Sequence, residues 1–222
     1  MSEFQPILDA ALARMGGTSA LAARLPEVKS AAELRAVADD RYLSLMSLRV
    51  FRAGLKHSMV DAKWPAFEDA FHGFAPRRVR AMSDEDIEGL LGDKRLIRHG
   101  GKLRAVRDNA AAMCALADET GGCGAYLADW PADDAVGLWD DLAKRFSHVG
   151  GSSGPYFLRM VGKDTWRVSP DVVKALNRFG AYDGTGKGKR EARRLQEVFN
   201  GWAEETGRPL AHLSMIAALS VD

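Results

Sequence analysis

The sequence predicts an all-α protein, and three observations carry that expectation. Apolar residues recur at three- and four-residue spacings along most of the chain, period-two alternation is hard to find, and helix start and stop signals recur throughout. About a dozen helices are expected, forming one globular unit with two lobes over residues 1–222. The 46% apolar content is ordinary for a globular chain of 222 residues and excludes disorder and fibres.

The elements follow in order. Pro6 to Asp40 is Ala-rich and reads as helical. Arg41 to Leu127 is a long helical block in which Leu43, Met46, Val50 and Phe51 form one apolar stripe and Leu103, Val106, Ala110 and Met113 another, each with charged residues opposite. Between them Pro76 stands where a first-turn proline belongs, and Ser83-Asp84-Glu85-Asp86 reads as a capping box before Ile87, Leu90 and Leu91. Asp133 to Phe179 is a second block. Within it a helix ending at Lys144-Arg145 runs into a Gly-rich hairpin, after which a second helix starts with Ser152 or Ser153 as cap and Pro155 in its first turn. This helix-hairpin-helix covers about 134–162. Pro170 opens a further helix, and the helices from Glu191 onward, with Leu195, Val198, Phe199 and Trp202 as their stripe, are expected to pack back over the first.

Charge and cysteine content narrow the function. Lys plus Arg number 31 against 30 Asp plus Glu, so a net charge of +1 gives no bulk attraction to nucleic acid or membrane, and only a local patch could supply one. Three basic stretches exist: Arg49 to Lys63, Lys94 to Arg107 (with Arg98 and Lys102) and Lys187 to Arg194. Lining one face, they would track phosphates; as solvated helix faces, they would do nothing of the kind. Two cysteines, Cys114 and Cys123, make neither a disulfide framework nor a four-thiolate zinc site. With no signal peptide and no apolar run near the roughly 20 residues of a membrane span, the chain reads as cytoplasmic and reduced.

The hairpin is the most informative segment. Its exposed backbone N–H groups and the following helix N-terminus suit a phosphate oxygen, and Gly150, Gly151 and Gly154 allow close backbone approach; glycines also end ordinary helices.

The hairpin together with Val168 to Gly180 resembles the helix-hairpin-helix DNA glycosylase superfamily. More closely, Leu48 to Lys56, Phe67 to Phe74, Val79 to Ile87 and Ile97 to Ala110 resemble DNA 3-methyladenine glycosylase I in order and spacing, the likeness running from about Asp40 to Gly162. The resemblance implies a two-lobed helical fold that grips duplex DNA at the minor groove and turns one nucleotide out of the stack, because a stacked nucleotide shields its glycosidic carbon. Leu55, on the Ala53-Gly54-Leu55-Lys56 turn, matches the position of an apolar wedge inserted between bases, though it could equally be core. Lys56, His57, Gly150 to Gly154 (through Ser152 and Ser153), Arg98 and Lys102 complete the implied DNA contacts.

Departures from the family pattern bear on the chemistry. Arg49 stands where the family places a pocket glutamate, so a cationic purine would meet a cation. His57 replaces an aromatic beyond the wedge. The superfamily's catalytic aspartate position falls on Ser169, with Asp171 two residues later. Asp171 has two readings: a first-turn acid favoured by the helix dipole, or a carboxylate that stabilises an oxocarbenium ion or orients water. Asp164 is the second candidate acid. Tyr156 and Trp166, with Arg49 and Ser169, are the candidate base-pocket residues. The zinc ligands that the family carries near its chain ends have no counterpart here, so no metal or cofactor is expected, apart from a monovalent cation that hairpin carbonyls could hold. Gly184 to Lys189 lacks Walker spacing and reads as a flexible basic turn.

The expected function is base-excision repair: a monofunctional glycosylase hydrolysing the N-glycosidic bond of an alkylated, 3-methyladenine-like base in duplex DNA, acting as a monomer at the nucleoid, with no membrane partner. The alternatives are a non-catalytic DNA-binding helix-hairpin-helix protein and a glycosylase diverged to another lesion.

Overall fold

The structure is a computed structural model that describes residues 3–222, and every regular element among them is helical. In chain order these are α1 (Gln5–Met15), α2 (Thr18–Ala22), α3 (Ala31–Ala36), α4 (Asp39–Arg52) and α5 (His57–Ala70). A 3₁₀ turn (His72–Phe74) precedes α6 (Pro76–Val79), α7 (Asp84–Gly92), α8 (Gly100–Thr120) and α9 (Cys123–Asp129). The chain continues through α10 (Ala135–Arg145), α11 (Ser153–Val161), α12 (Pro170–Arg178), α13 (Lys189–Thr206) and α14 (Leu210–Leu219). The count exceeds a dozen because α2, α3 and α6 have only five, six and four residues, too short to show a 3.6-residue stripe.

Two compact units emerge. One runs to Val28 and adds Pro131–Leu138 and Gly162–Asp222; the other comprises Lys29–Trp130 and Trp139–Val161. In the first, α14 is apolar on all sides and buries Leu210, Ala211, Leu213, Ile216 and Ala217 against α1, α12 and α13, as a helix without a polar face must. The expected return of the C-terminal helices onto the N-terminal one is this α1–α14 contact. Phe4, Trp202, Phe199 and Trp166 form a continuous aromatic chain with ring centroids 4.9–5.4 Å apart.

In the second unit α4 is the buried strut. Its stripe of Leu43, Met46, Val50 and Phe51 is at most 2% exposed, and it packs on α5, α8, α9 and α11. Trp64, half-buried, stacks on Phe67 and Phe74 at 5.0 and 5.3 Å, with its Nε1 donating to Ser44 Oγ, so this indole is packed against the core. The start signals form as read: Ser83 and Asp86 make a reciprocal capping box, and Pro76 and Pro170 sit in first turns. Helix α3 crosses α9 at Gly124, where an added Cβ would lie 2.4 Å from Leu34 O and 3.0 Å from Arg35 Cα.

That crossing admits no side chain. Gly124→Ala is expected to destabilise the full chain by about 1–3 kcal/mol in urea unfolding. Gly89→Ala, in α7 with nothing within 4 Å of the new methyl, should instead stabilise by about 0.5–1 kcal/mol through the lower entropy of the unfolded chain.

Candidate nucleic-acid interface

The second unit holds the hairpin. Helix α10 ends at Arg145, whose guanidinium bridges Asp141 (2.7 Å) and Glu119 (2.9 Å), tying the helix end to α8. The chain then reverses through His148 and Gly151, both left-handed at φ 61°, and Ser153 N closes the turn on Gly150 O at 3.2 Å. Its three glycines serve different ends. Gly151 supplies the positive φ, and Gly154 lets the new helix approach Val149 O, which a Cβ would meet at 3.2 Å. Gly150 has only ordinary contact to make, with Ala143. Gly150, Gly151 and Ser152 are exposed at the tip while Ser153 and Gly154 are buried beneath it.

Asn109 braces this hairpin, a role that sequence reading did not assign. Only 1% exposed on α8, it donates from Nδ2 to Ser147 O (3.1 Å) and accepts Ser147 N–H at Oδ1 (2.6 Å), mimicking a backbone partner on both sides. The signal was available: a polar residue set among Val106, Ala110 and Met113 on a buried stripe needs a partner there.

Arg49 and Tyr156, separated by 107 positions, are brought together. The Arg49 guanidinium lies 4.4 Å from the Tyr156 ring centroid, on α11 directly after the hairpin. Arg49 is 8% exposed, has no carboxylate partner among the described residues, and its Nε is buried without an acceptor. Burial pushes its pKa below the ordinary value, opposed by Tyr156 and reinforced by Arg52. Lys102 stands close enough that Arg49, after burial, lowers its pKa too.

Lys102 itself is engaged. Its Nζ donates to Ala53 O (2.7 Å) and Phe51 O (3.4 Å), closing the C-terminus of α4 and fixing the turn that carries Leu55. Its ammonium is thus committed to the scaffold of the turn. Gly54 gives that turn its positive φ of 77°; Leu55 is half-buried, and Lys56 and His57 are exposed, with His57 opening α5. The basic stretches thin out likewise. Arg52 pairs with Asp61, Arg95 with Asp93 and Arg107 with Asp84, while Lys63 caps the carbonyls of Lys94, Arg95 and Leu96. Lys56, Lys94, Arg98 and Arg104 stay exposed and outside any ion pair among the described residues.

The candidate acids lie in the first unit. Asp164 accepts Leu210 N–H (3.0 Å) and Ala211 N–H (2.8 Å), so its carboxylate caps α14. Ser169 caps α12 by accepting Val172 N–H at 3.2 Å. Asp171, in the first turn of α12, is exposed. Trp166 is wholly buried and stacked at 5.0 Å on Phe199, so packing within its unit, not an open stacking face, accounts for it. Among the described residues no group of three or more His, Cys, Asp or Glu comes together to hold a metal, and no helix is long and apolar enough to cross a membrane.

Residues 34–144, half of the chain, match the family described as methyladenine glycosylase. A 72-residue stretch is 38% identical to DNA-3-methyladenine glycosylase 1 of Escherichia coli (strain K12); it covers 32% of this chain and only 38% of that protein's length. Among solved structures, 3-methyladenine DNA glycosylase I from Staphylococcus aureus superimposes with a TM-score of 0.50 at 24% identity, over 56% of this chain and 76% of that one. The Methanocaldococcus jannaschii 8-oxoguanine glycosylase/lyase, solved with a 15mer DNA containing 8-oxoguanine, does so at 0.52 and 12% identity, over 90% and 87%. At such identities the structural likenesses establish the fold, an all-helical one of the helix-hairpin-helix glycosylase type.

The two polar braces can be weighed by deletion. Asn109→Ala leaves a buried backbone N–H and C=O without partners and is expected to cost about 1–3 kcal/mol in denaturant unfolding. Asp164→Ala should cost about 1 kcal/mol through loss of the α14 cap, against a few tenths for Asp171→Ala, which removes only a dipole interaction. Equal losses at Asp164 and Asp171 would contradict the capping assignment.

Proposed function

The chain belongs to the methyladenine glycosylase family, and on that premise we propose that it is a DNA glycosylase that removes a damaged base from duplex DNA and leaves an abasic site. The observation that carries this reading is the family match over 34–144, which contains α4 with Arg49, the Leu55 turn and most of the hairpin's first helix. The fold likeness to a glycosylase/lyase solved on DNA supports duplex DNA as the partner. Alkylated purines are the substrate class for which the relatives are named, and they head the list of lesions to test.

The parts fit the task as follows. The exposed hairpin tip at Gly150 to Ser152 offers backbone N–H groups to a phosphate, and Arg98, Lys56 and His57 add surface donors. Leu55, held at a turn by Lys102, is the wedge that fills the gap left by an extruded nucleotide. In the chemical step a water oxygen bonds to C1′, the C1′–N bond breaks with its electron pair going to the base, and the water proton is transferred to base or solvent. Asp171 is the acid we assign to stabilising the developing positive charge on the sugar, because Asp164 already accepts two backbone N–H groups. Positions 154–157 of α11 carry no lysine, so the reaction is hydrolysis without a Schiff base.

A second reading has its own support. With Ser169 capping α12 and Asp164 capping α14, Asp171 is the one acid left on this segment, and a protein without catalysis would keep hairpin and wedge for binding alone.

Purified protein incubated with duplexes bearing methylated and deaminated bases should release a free base, identified by mass, and leave abasic sites in an intact strand. Asp171→Asn should slow release about 100-fold. Covalent adducts trapped by borohydride would overturn the monofunctional mechanism. Salt-sensitive DNA binding with no base released from any lesion would establish the non-catalytic reading instead.

A further inference from the structure

Arg49 is a buried cation whose usual partners are missing. The residue is 8% exposed, its Nε is buried without an acceptor, and among the described residues no carboxylate pairs with it. The Tyr156 ring centroid lies 4.4 Å from the guanidinium carbon, a contact through the π face that uses none of the in-plane N–H donors. The nearest further charges are also cationic: Arg52, which pairs outward with Asp61, and Lys102, which donates to the carbonyls at the end of α4. A buried N–H donor such as Arg49 Nε is costly unless a guest brings an acceptor to it.

We infer that Arg49 determines specificity and selects a neutral 6-oxopurine, such as hypoxanthine, over a cationic methylated purine. The inference rests on the glycosylase reading above and names the substrate class of that same site. Two arguments converge on it. A 6-oxopurine presents O6 and N7 side by side as acceptors, the pair that an arginine fork engages with two hydrogen bonds. A methylated purine carrying positive charge would instead meet the buried Arg49 cation, with Lys102 nearby, where repulsion is less screened than in water.

The reaction itself sharpens the choice. When the C1′–N9 bond breaks, a neutral purine takes the electron pair and becomes anionic until it gains the proton released as water adds to C1′. A guanidinium on O6 and N7 stabilises that developing charge. For a cationic purine the same step removes charge from the base, so Arg49 gives its transition state nothing and disfavours its binding.

The test compares single-turnover release from matched duplexes containing hypoxanthine or 3-methyladenine, alongside equilibrium binding of two free probes, hypoxanthine and the fixed cation 3,9-dimethyladeninium. The unaltered protein should release hypoxanthine at least about tenfold faster and bind it in preference to the cation. Arg49→Glu should reverse both orders, and Arg49→Gln should weaken hypoxanthine binding about tenfold, with thermal unfolding confirming that each variant is folded. Faster release of 3-methyladenine by the unaltered protein overturns the inference, a result that needs no variant. If neither duplex loses its base, the glycosylase reading fails, and the free-probe titration then decides Arg49 by itself. A preference for hypoxanthine that Arg49→Gln abolishes sustains the acceptor-selecting site, and equal binding of both probes removes it.

Discussion

Each helix, however short, leaves up to four N–H groups at its start and four C=O groups at its end without internal partners. A protein made of many short helices therefore carries a high density of polar backbone ends, and every buried end must be satisfied by something other than the helix itself. This constraint governs where the polar side chains of the molecule go. Ser83 and Asp86 close α7, Ser30 and Glu33 close α3, Ser169 starts α12 and Asp164 starts α14. At the other polarity, Lys102 closes the end of α4, and Lys63 gathers three carbonyls after α7. Asp39 reaches across its unit to the N–H of Cys123.

The same constraint shapes the candidate site by removing residues from it. A carboxylate already accepting two N–H groups is fixed in orientation, so Asp164 serves α14 first. A lysine with two carbonyl acceptors is held in place, so Lys102 serves the turn after α4 first. Within the second unit the exposed hairpin tip, the Leu55 turn, Arg98 and the Arg49–Tyr156 pair are not taken up by any helix end. The hairpin depends on the constraint as well, since Asn109 supplies to Ser147 the two hydrogen bonds that a helix or strand neighbour would otherwise provide.

On α4, Arg49 Nε and Ser47 Oγ depart from this pairing, and of the two only Arg49 carries a charge. Two other polar groups of α4 are paired, Tyr42 donating to Leu34 O (2.7 Å) and Ser44 to Glu68 (2.6 Å). A guanidinium that burial disfavours, beside other cations, works against folding unless its donors serve a guest, and sites that work against folding are where function is concentrated.

Much of the architecture was legible in one dimension. The stripes of α4, α8 and α13, the capping box at Ser83 and the first-turn prolines all formed as read, because helix periodicity and capping are local and depend on residues within a turn of one another. So did the helix-hairpin-helix, and the family followed from several segments in register. The short helices α2, α3 and α6 escaped, being shorter than the period needed to reveal them. What the chain order could not contain was partnership between distant residues. That Asp164 faces α14, that Lys102 reaches Ala53, that Trp166 stacks on Phe199 and that Arg49 meets Tyr156 without an acid are consequences of packing. The sequence determined which residues could form helices, turns and caps; only the tertiary structure decided which charged groups were consumed as partners and which were left for a ligand, because hydrogen bonding and burial depend on distance through space and not along the chain.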